Sequence, residues 1–251
     1  MHFQPWPYPV VSAHRGAGIL APENTLAAMQ VGYAYGYRAV EFDAMLSADQ
    51  VPILMHDPML GRTVAGTGCI ADLPAAALQA LDAGRWKGPQ FAGEPVPLLE
   101  TVMRYCHQQG IWMNVEIKPV PGYAAITGTV VAQQVAAHVG DIDRNCWPLL
   151  SSFDYSALAA AQQVAPDLPR GALFDVIPHD WQAQLQQLGC VALHCNHKFL
   201  TAYLAQQIKA AGYWLFCYTV NRVERAREIQ AWGVDGFCTD RIDLFVGYSH
   251  K

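Results

Sequence analysis

The sequence predicts an α/β fold, a TIM (β/α)8 barrel, and three observations predict it. From Gly36 onward one phrase recurs: an amphipathic stretch, a glycine, two or three residues, then a short apolar run. Strands alternating with ten- to fifteen-residue helices indicate right-handed βαβ units and a parallel sheet. Nine apolar runs read as strands, at 10–14, 40–43, 53–56, 113–117, 149–153, 171–174, 191–195, 215–220 and 236–239. Too few residues separate the second run from the third for a crossover between parallel strands. Residues 53–56 are therefore read as an extra strand near the barrel mouth, which leaves eight.

Taken in order, the first strand ends on His14-Arg15-Gly16, where a turn lets neighbouring side chains both face a site. Pro22-Glu23-Asn24-Thr25 reads as a helix start, a cap in preference to a contact with a metal site. Gly36 closes that helix in the left-handed manner usual past a C-terminus, and the second strand carries Glu41-Phe42-Asp43. The extra strand ends on His56-Asp57. Residues 58–97 then break the rhythm, are rich in glycine and proline, and read as a small insertion after the second barrel strand. Gly110 precedes the strand that ends on Glu116-Ile117-Lys118. Gly189, Gly212 and Gly233 precede the last three strands. Active sites of such barrels lie at the C-terminal strand ends, where all four charged fragments fall.

At 251 residues and 52% hydrophobic, the chain is long enough for one substantial core and is read as a single domain, 1–251. A net charge of −5 excludes the basic footprint of a nucleic-acid binder, so an anionic ligand would be held by local cations or a metal. No leader-like opening and no membrane-length apolar run is present, so no stable membrane association is expected. The seven cysteines form no CxxC pair, and Cys195, Cys217 and Cys238 lie in apolar runs as reduced thiols. A cytoplasmic location is expected, and a homo-oligomer is left open.

Glu41 and Asp43, two apart on one strand, point the same way. Two carboxylates that close call for a proton or a cation between them, and a hard divalent ion is the simplest answer. The alternative is an acidic surface or capping pair. Glu116 and Lys118 repeat the geometry on the next barrel strand, as metal ligand and phosphate-binding charge or as a structural ion pair. His14 and His56 suit an acid/base pair near neutral pH, although an isolated histidine is commonly structural.

Other features carry less. His194-Cys195-Asn196-His197 holds zinc-ligand types, but alternation aims them at opposite faces. Ser151-Ser152-Phe153 lacks the glycines of a nucleophile elbow. Trp214, Phe216 and Tyr218 alternate as core, with Tyr218 near enough to the strand end to line a pocket. Asp240 is read equally as a cap or a functional contact.

In that order, H-R-G (14–16), P-E-N-T (22–25), E-F-D (41–43), I-L-M-H-D (53–57), N-V-E-I-K (114–118), Y-T-V-N (218–221) and C-T-D (238–240) resemble the glycerophosphodiester phosphodiesterases. The resemblance runs from about residue 11 to 240. The segments 149–153 and 218–221 look most like the short cytosolic bacterial members associated with glycerol-3-phosphate uptake. It implies a barrel of the phospholipase C-like phosphodiesterase type that hydrolyses glycerophosphodiesters, as small-molecule substrates, to sn-glycerol 3-phosphate and an alcohol. It also implies one divalent metal ion, with magnesium expected and calcium, manganese or cobalt suited to the same ligands. Carried over, Glu41, Asp43 and Glu116 would ligate the metal, His14 and His56 would be general base and acid, and Arg15 and Lys118 would bind phosphate. Tyr218 stands where many relatives carry tryptophan, which bears on the alcohol pocket. The alternatives are a lysophospholipase D-type or lyase activity on lipid phosphodiesters, and a non-catalytic glycerol-phosphate-binding barrel.

Overall fold

The computed structural model describes residues 5–140 and 142–248. Its nine strands are β1 (Val11–His14), β2 (Ala39–Leu46), β3 (Pro52–Leu54), β4 (Trp112–Ile117), β5 (Leu149–Ser152), β6 (Arg170–Phe174), β7 (Ala192–Asn196), β8 (Trp214–Tyr218) and β9 (Gly236–Thr239). Eight run parallel and close on themselves, because β1 pairs with both β9 and β2. β3 is the exception: it lies antiparallel on β2, with Ala44 opposite Leu54, as the short connection requires. The sequence-level count of eight plus one is what the chain forms.

Helices α1 (Leu26–Ala34), α3 (Leu99–Gln108), α4 (Ala124–Val139), α5 (Tyr155–Val164), α6 (Trp181–Gln187), α7 (Ala202–Ala210) and α8 (Val223–Ala231) are the crossovers, and α2 (Ala75–Gln79) lies in the 58–97 segment. The five glycines expected after helices have φ between 57° and 101°, the left-handed region that stops a helix at low cost. Every residue of β2 is buried, because one face looks into the barrel and the other packs under helices. Residues 58–97 share their own apolar cluster, in which Val64, Ile70, Leu78 and Val96 pack on Met45, Ile53 and Met55. That anchors the segment over β2 and β3, beside the barrel mouth. Among the described residues no helix is long and apolar enough to cross a membrane.

The opposite end of the barrel is closed by aromatic rings. Tyr8 stacks on Trp112 with centroids 4.2 Å apart, and Trp6 sets its edge against Tyr8, Trp112 and Trp214. The Trp112 indole N–H donates to the Trp147 carbonyl at 3.0 Å, so the ring is buried with its one polar group satisfied. Truncating it should leave a cavity that the rigid strands cannot collapse. Trp112→Ala is expected to cost about 3–5 kcal/mol in urea denaturation and to leave substrate KM unchanged, because the plug faces away from the mouth. A loss below about 1 kcal/mol, ordinary for a surface change, would contradict this account of the closed end.

Candidate active site

Strand register assembles the acidic groups. β2 and β4 run side by side with Asp43 opposite Glu116 and Glu41 opposite Asn114, so alternate residues from both strands face the barrel axis. One carboxylate oxygen from each of Glu41, Asp43 and Glu116 lies within 4.8 Å of the others. Glu41 and Asp43 are 4% and 1% exposed, so water does little to screen the three charges.

Cations offset part of that repulsion. Lys118 Nζ lies 3.4 Å from Asp43 and 3.6 Å from Glu116, and Arg15 Nε lies 3.4 Å from Asp43. Burial alone would raise Asp43, but Lys118 and Arg15 hold it below the usual carboxylate range. Glu116 goes the other way: burial, then the charge of Asp43, pushes it up to about 8. Burial likewise raises Glu41. The site is short of positive charge. Three oxygen donors with no thiol or imidazole in the set are what a hard divalent ion takes, so the residues fit the ion that the resemblance implies.

His14 sits on the β1 tip opposite Glu41 in register. Its Nδ1 meets Asp240 Oδ1 at 2.5 Å, and its Nε2 lies 3.7 Å from Glu41. Asp240 is itself held, accepting from the Asn221 side chain at 3.1 Å while its N–H donates to Asn221 Oδ1 at 2.8 Å. Burial works against a charged His14, but the Asp240 hydrogen bond and then Glu41 raise it above its ordinary value. Arg15 has φ 51°, the turn that lets His14 and Arg15 both face the site. A Cβ on Gly18 would lie 2.1 Å from the Asp240 carbonyl, so glycine there lets this loop sit against the Asp240 backbone.

His56 bonds Asp57 at 2.7 Å, and Asp57 also accepts from Arg62 Nε. Arg62, from the 58–97 segment, makes two more bonds to Glu23 at 2.6 and 2.9 Å, and Glu23 accepts from Arg15 at 2.8 Å. A chain of charges thus runs His56–Asp57–Arg62–Glu23–Arg15. Burial sets His56 below its ordinary value, Arg15 and Lys118 add to this, and Asp43 and Asp57 only partly counter it.

All seven predicted residues converge. A cavity of about 200 Å³ is lined by six of them, all but Asp43, which lies behind Lys118 and Arg15. Phe153, His194, Phe216 and Tyr218 line its other side. The helix-start reading of 22–25 holds but is incomplete. Thr25 does cap α1, accepting from Ala28 N–H at 3.1 Å, but Asn24 clasps Asp43 through two bonds of 2.8 and 3.1 Å. Sequence reasoning favoured the cap and missed Asn24, and it gave Glu23, Arg62 and Asn221 no role of their own. The available signal was their place inside or beside the ordered motifs. Asp240, read both ways, makes the functional contact. His194 and His197 do part company as alternation requires, the first inside the barrel and the second 3.3 Å from Arg225. The seven cysteines are free.

Comparison with known proteins supports the family resemblance read from the sequence. The model of the glycerophosphoryl diester phosphodiesterase family matches residues 14–244. A solved structure of an Oleispira antarctica phosphodiesterase, in complex with the product sn-glycerol-3-phosphate, is 36% identical with a TM-score of 0.89, covering 94% of this chain and 95% of that one. A glycerophosphodiester phosphodiesterase of Caldanaerobacter subterraneus subsp. tengcongensis is 29% identical over 243 residues, covering 96% of this chain and 98% of its own. A crystal structure of the Agrobacterium tumefaciens glycerophosphodiester phosphodiesterase is 25% identical with a TM-score of 0.76, covering 95% and 99%.

A carboxyl near pKa 8 is mostly protonated at pH 7, so a metal must displace its proton. Calorimetry in buffers of different ionisation enthalpy should therefore show on the order of one proton released per manganese ion bound at pH 7. Affinity should fall as pH drops. In Glu116→Gln the release should be largely lost and binding should weaken. Binding without proton release in the unaltered protein would contradict the buried, crowded acid.

Proposed function

The chain belongs to the glycerophosphoryl diester phosphodiesterase family and is an enzyme of that class; from that premise we propose that it hydrolyses glycerophosphodiesters to sn-glycerol 3-phosphate and an alcohol, using one divalent metal ion and two histidines. The observation that carries this reading is the meeting of the Glu41–Asp43–Glu116 cluster with His14, His56, Arg15 and Lys118 around one cavity.

In this reading Glu41, Asp43 and Glu116 hold the ion. When bound, it supplies Lewis-acid polarisation of a phosphoryl oxygen. Arg15 and Lys118 face the same oxygens as fixed cations and stabilise the charge that builds on them, already oriented by Glu23 and Asp43. The Asp240 contact supports His14 as the proton donor, because a carboxylate on Nδ1 favours the imidazolium and leaves Nε2 toward the site. His56, set below its ordinary value among cations, suits the base. This reverses the order implied by the resemblance. His56 accepts the proton of the attacking hydroxyl as the new P–O bond forms. The P–O bond to the alcohol breaks, and His14 protonates the departing alkoxide. Water can attack directly, or the glycerol 2-hydroxyl can attack to give a cyclic phosphate, which water then opens with His14 as base and His56 as acid to the 2-oxygen.

Magnesium is the expected ion, and calcium, manganese or cobalt suit the same oxygen set. The chain acts as one catalytic domain, with the 58–97 segment supplying Arg62. A cytoplasmic setting fits the seven free cysteines.

A coupled assay for sn-glycerol 3-phosphate with glycerophosphocholine should show activity that EDTA abolishes and added magnesium or manganese restores. His14→Ala and His56→Ala should each lower kcat by about 10²–10⁴-fold with metal still bound. The base must be neutral and the acid protonated. Activity should therefore rise through the lowered pKa of His56, below about 6.5, and fall through the raised pKa of His14, above it. His56→Ala should lose the acidic limb. EDTA-insensitive turnover, or either variant with near-normal kcat, would overturn the reading.

A further inference from the structure

Around and beneath the catalytic residues the barrel interior is unusually polar. Barrels of this kind are normally filled with branched aliphatic side chains. Here the interior at and below the level of the charged groups holds Ser12, Asn114, Ser151 and His194, each 2% exposed or less. Ser12 Oγ, Asn114 Oδ1, Ser151 Oγ and both ring nitrogens of His194 have no hydrogen-bond partner in the protein. Only Arg15, Gln134 and His138 contribute other such atoms among the described residues. Orphaned buried polar groups are costly and call for an explanation.

Two of these side chains line the same cavity as the chemistry, and the two serines lie on the same strand faces. His194 and Asn114 line it together with Glu41 and Glu116. Ser12 and Ser151 alternate with His14 and Phe153, which also line it, so their side chains face the same interior. Gly171 makes room: a Cβ there would lie 2.7 Å from His194 Nε2. Below, the Trp6–Tyr8–Trp112–Trp214 plug closes the barrel. The cavity is thus a well closed at its base, with His194 and Asn114 in its lining.

We propose that this polar interior is the polyol end of the substrate site, where His194 and Asn114 hydrogen-bond the terminal hydroxyl of a glycerol unit inserted down the barrel axis. The proposal rests on the hydrolase reading above and adds the residues that recognise glycerol. Asn114 precedes Glu116 by two residues, about 6.6 Å along a parallel strand. That is a span suited to a three-carbon chain whose phosphate sits at the Glu116 level. A cavity of about 200 Å³ is smaller than most drug-sized pockets and suits a small polyol phosphate. Burial keeps His194 neutral, with its pKa pushed down to about 3. One ring nitrogen then donates and the other accepts, as a hydroxyl group also can. An acyl chain on that hydroxyl has no room in a closed polar well, so lysophospholipids should be poor substrates.

The test compares a glycerol phosphodiester with its propane-1,2-diol counterpart, which lacks only the terminal hydroxyl, on metal-loaded enzyme. The unaltered protein should prefer the glycerol diester by about 100-fold or more in kcat/KM, as sites built around a substrate hydroxyl do. His194→Phe should lose at least roughly tenfold of that preference, read as the ratio of kcat/KM between the two diesters. His194→Gln should recover part of the preference. The melting temperature of His194→Phe is read alongside: a lost preference with melting unchanged supports the site, because a disturbed core would slow both diesters alike. Calorimetric binding of sn-glycerol 3-phosphate against propane-1,2-diol 1-phosphate gives a readout free of turnover. If neither diester is hydrolysed but the unaltered protein binds glycerol phosphate preferentially and His194→Phe does not, the catalytic reading fails and the polyol site stands. If the preference survives His194→Phe, or both substrates suffer equally, the polyol site is wrong.

Discussion

Three buried carboxylates from two neighbouring strands, with oxygens within 4.8 Å of each other, are the constraint on which the rest of the mouth depends. Like charges at that spacing, with little water between them, would disrupt the barrel end unless cations surround them. Lys118 and Arg15 offset part of the charge, and Asn24 holds Asp43 in place from the loop before α1. What remains is a negative cage in which burial and Asp43 raise Glu116, so that the cluster takes up a proton or a cation. Apolar packing in the barrel wall and the aromatic plug stabilise the scaffold that tolerates this cost, the usual relation between a functional site and its fold.

Both histidines are positioned by carboxylates that are themselves tied down. Asn221 fixes Asp240, and through it His14, from the loop after β8. Arg62 fixes Asp57, and through it His56, and its other arm grips Glu23, which grips Arg15. The loop after β1, the tip of β3 and the 58–97 segment are thereby one electrostatic unit. The two imidazoles end with opposite tendencies because their surroundings differ: the Asp240 hydrogen bond and Glu41 outweigh burial at His14, whereas burial, with Arg15 and Lys118 added, outweighs Asp43 and Asp57 at His56. The separate acid and base roles proposed for these two identical side chains rest on that asymmetry.

Much of this was legible in the chain because strand alternation is a strict rule. Glu41 with Asp43, and Glu116 with Lys118, had to share a face, and their places before turns put them at the mouth. The single antiparallel strand followed from a connection too short for a helix. Less legible were contacts made by loop conformation and distant pairing. Asn24 reaches Asp43 from a left-handed backbone, φ 58°, at the entry to α1, and the cap residue beside it masked that second role. Arg62 meets Glu23 across 39 residues, with no local pattern to announce it. Sequence reasoning set His194 apart from a zinc site. Its lack of partners and the space opened by Gly171 depend on three strands at once, which periodicity along one strand does not reveal.

The central claim is that the three carboxylates form a cation site beside the two histidines. Anomalous diffraction at the manganese edge, from crystals soaked in manganese, tests it most directly. The account predicts one strong peak coordinated by Glu41, Asp43 and Glu116, within the cavity that His14 and His56 line. Manganese found only at other positions, with those three side chains unliganded, would contradict it.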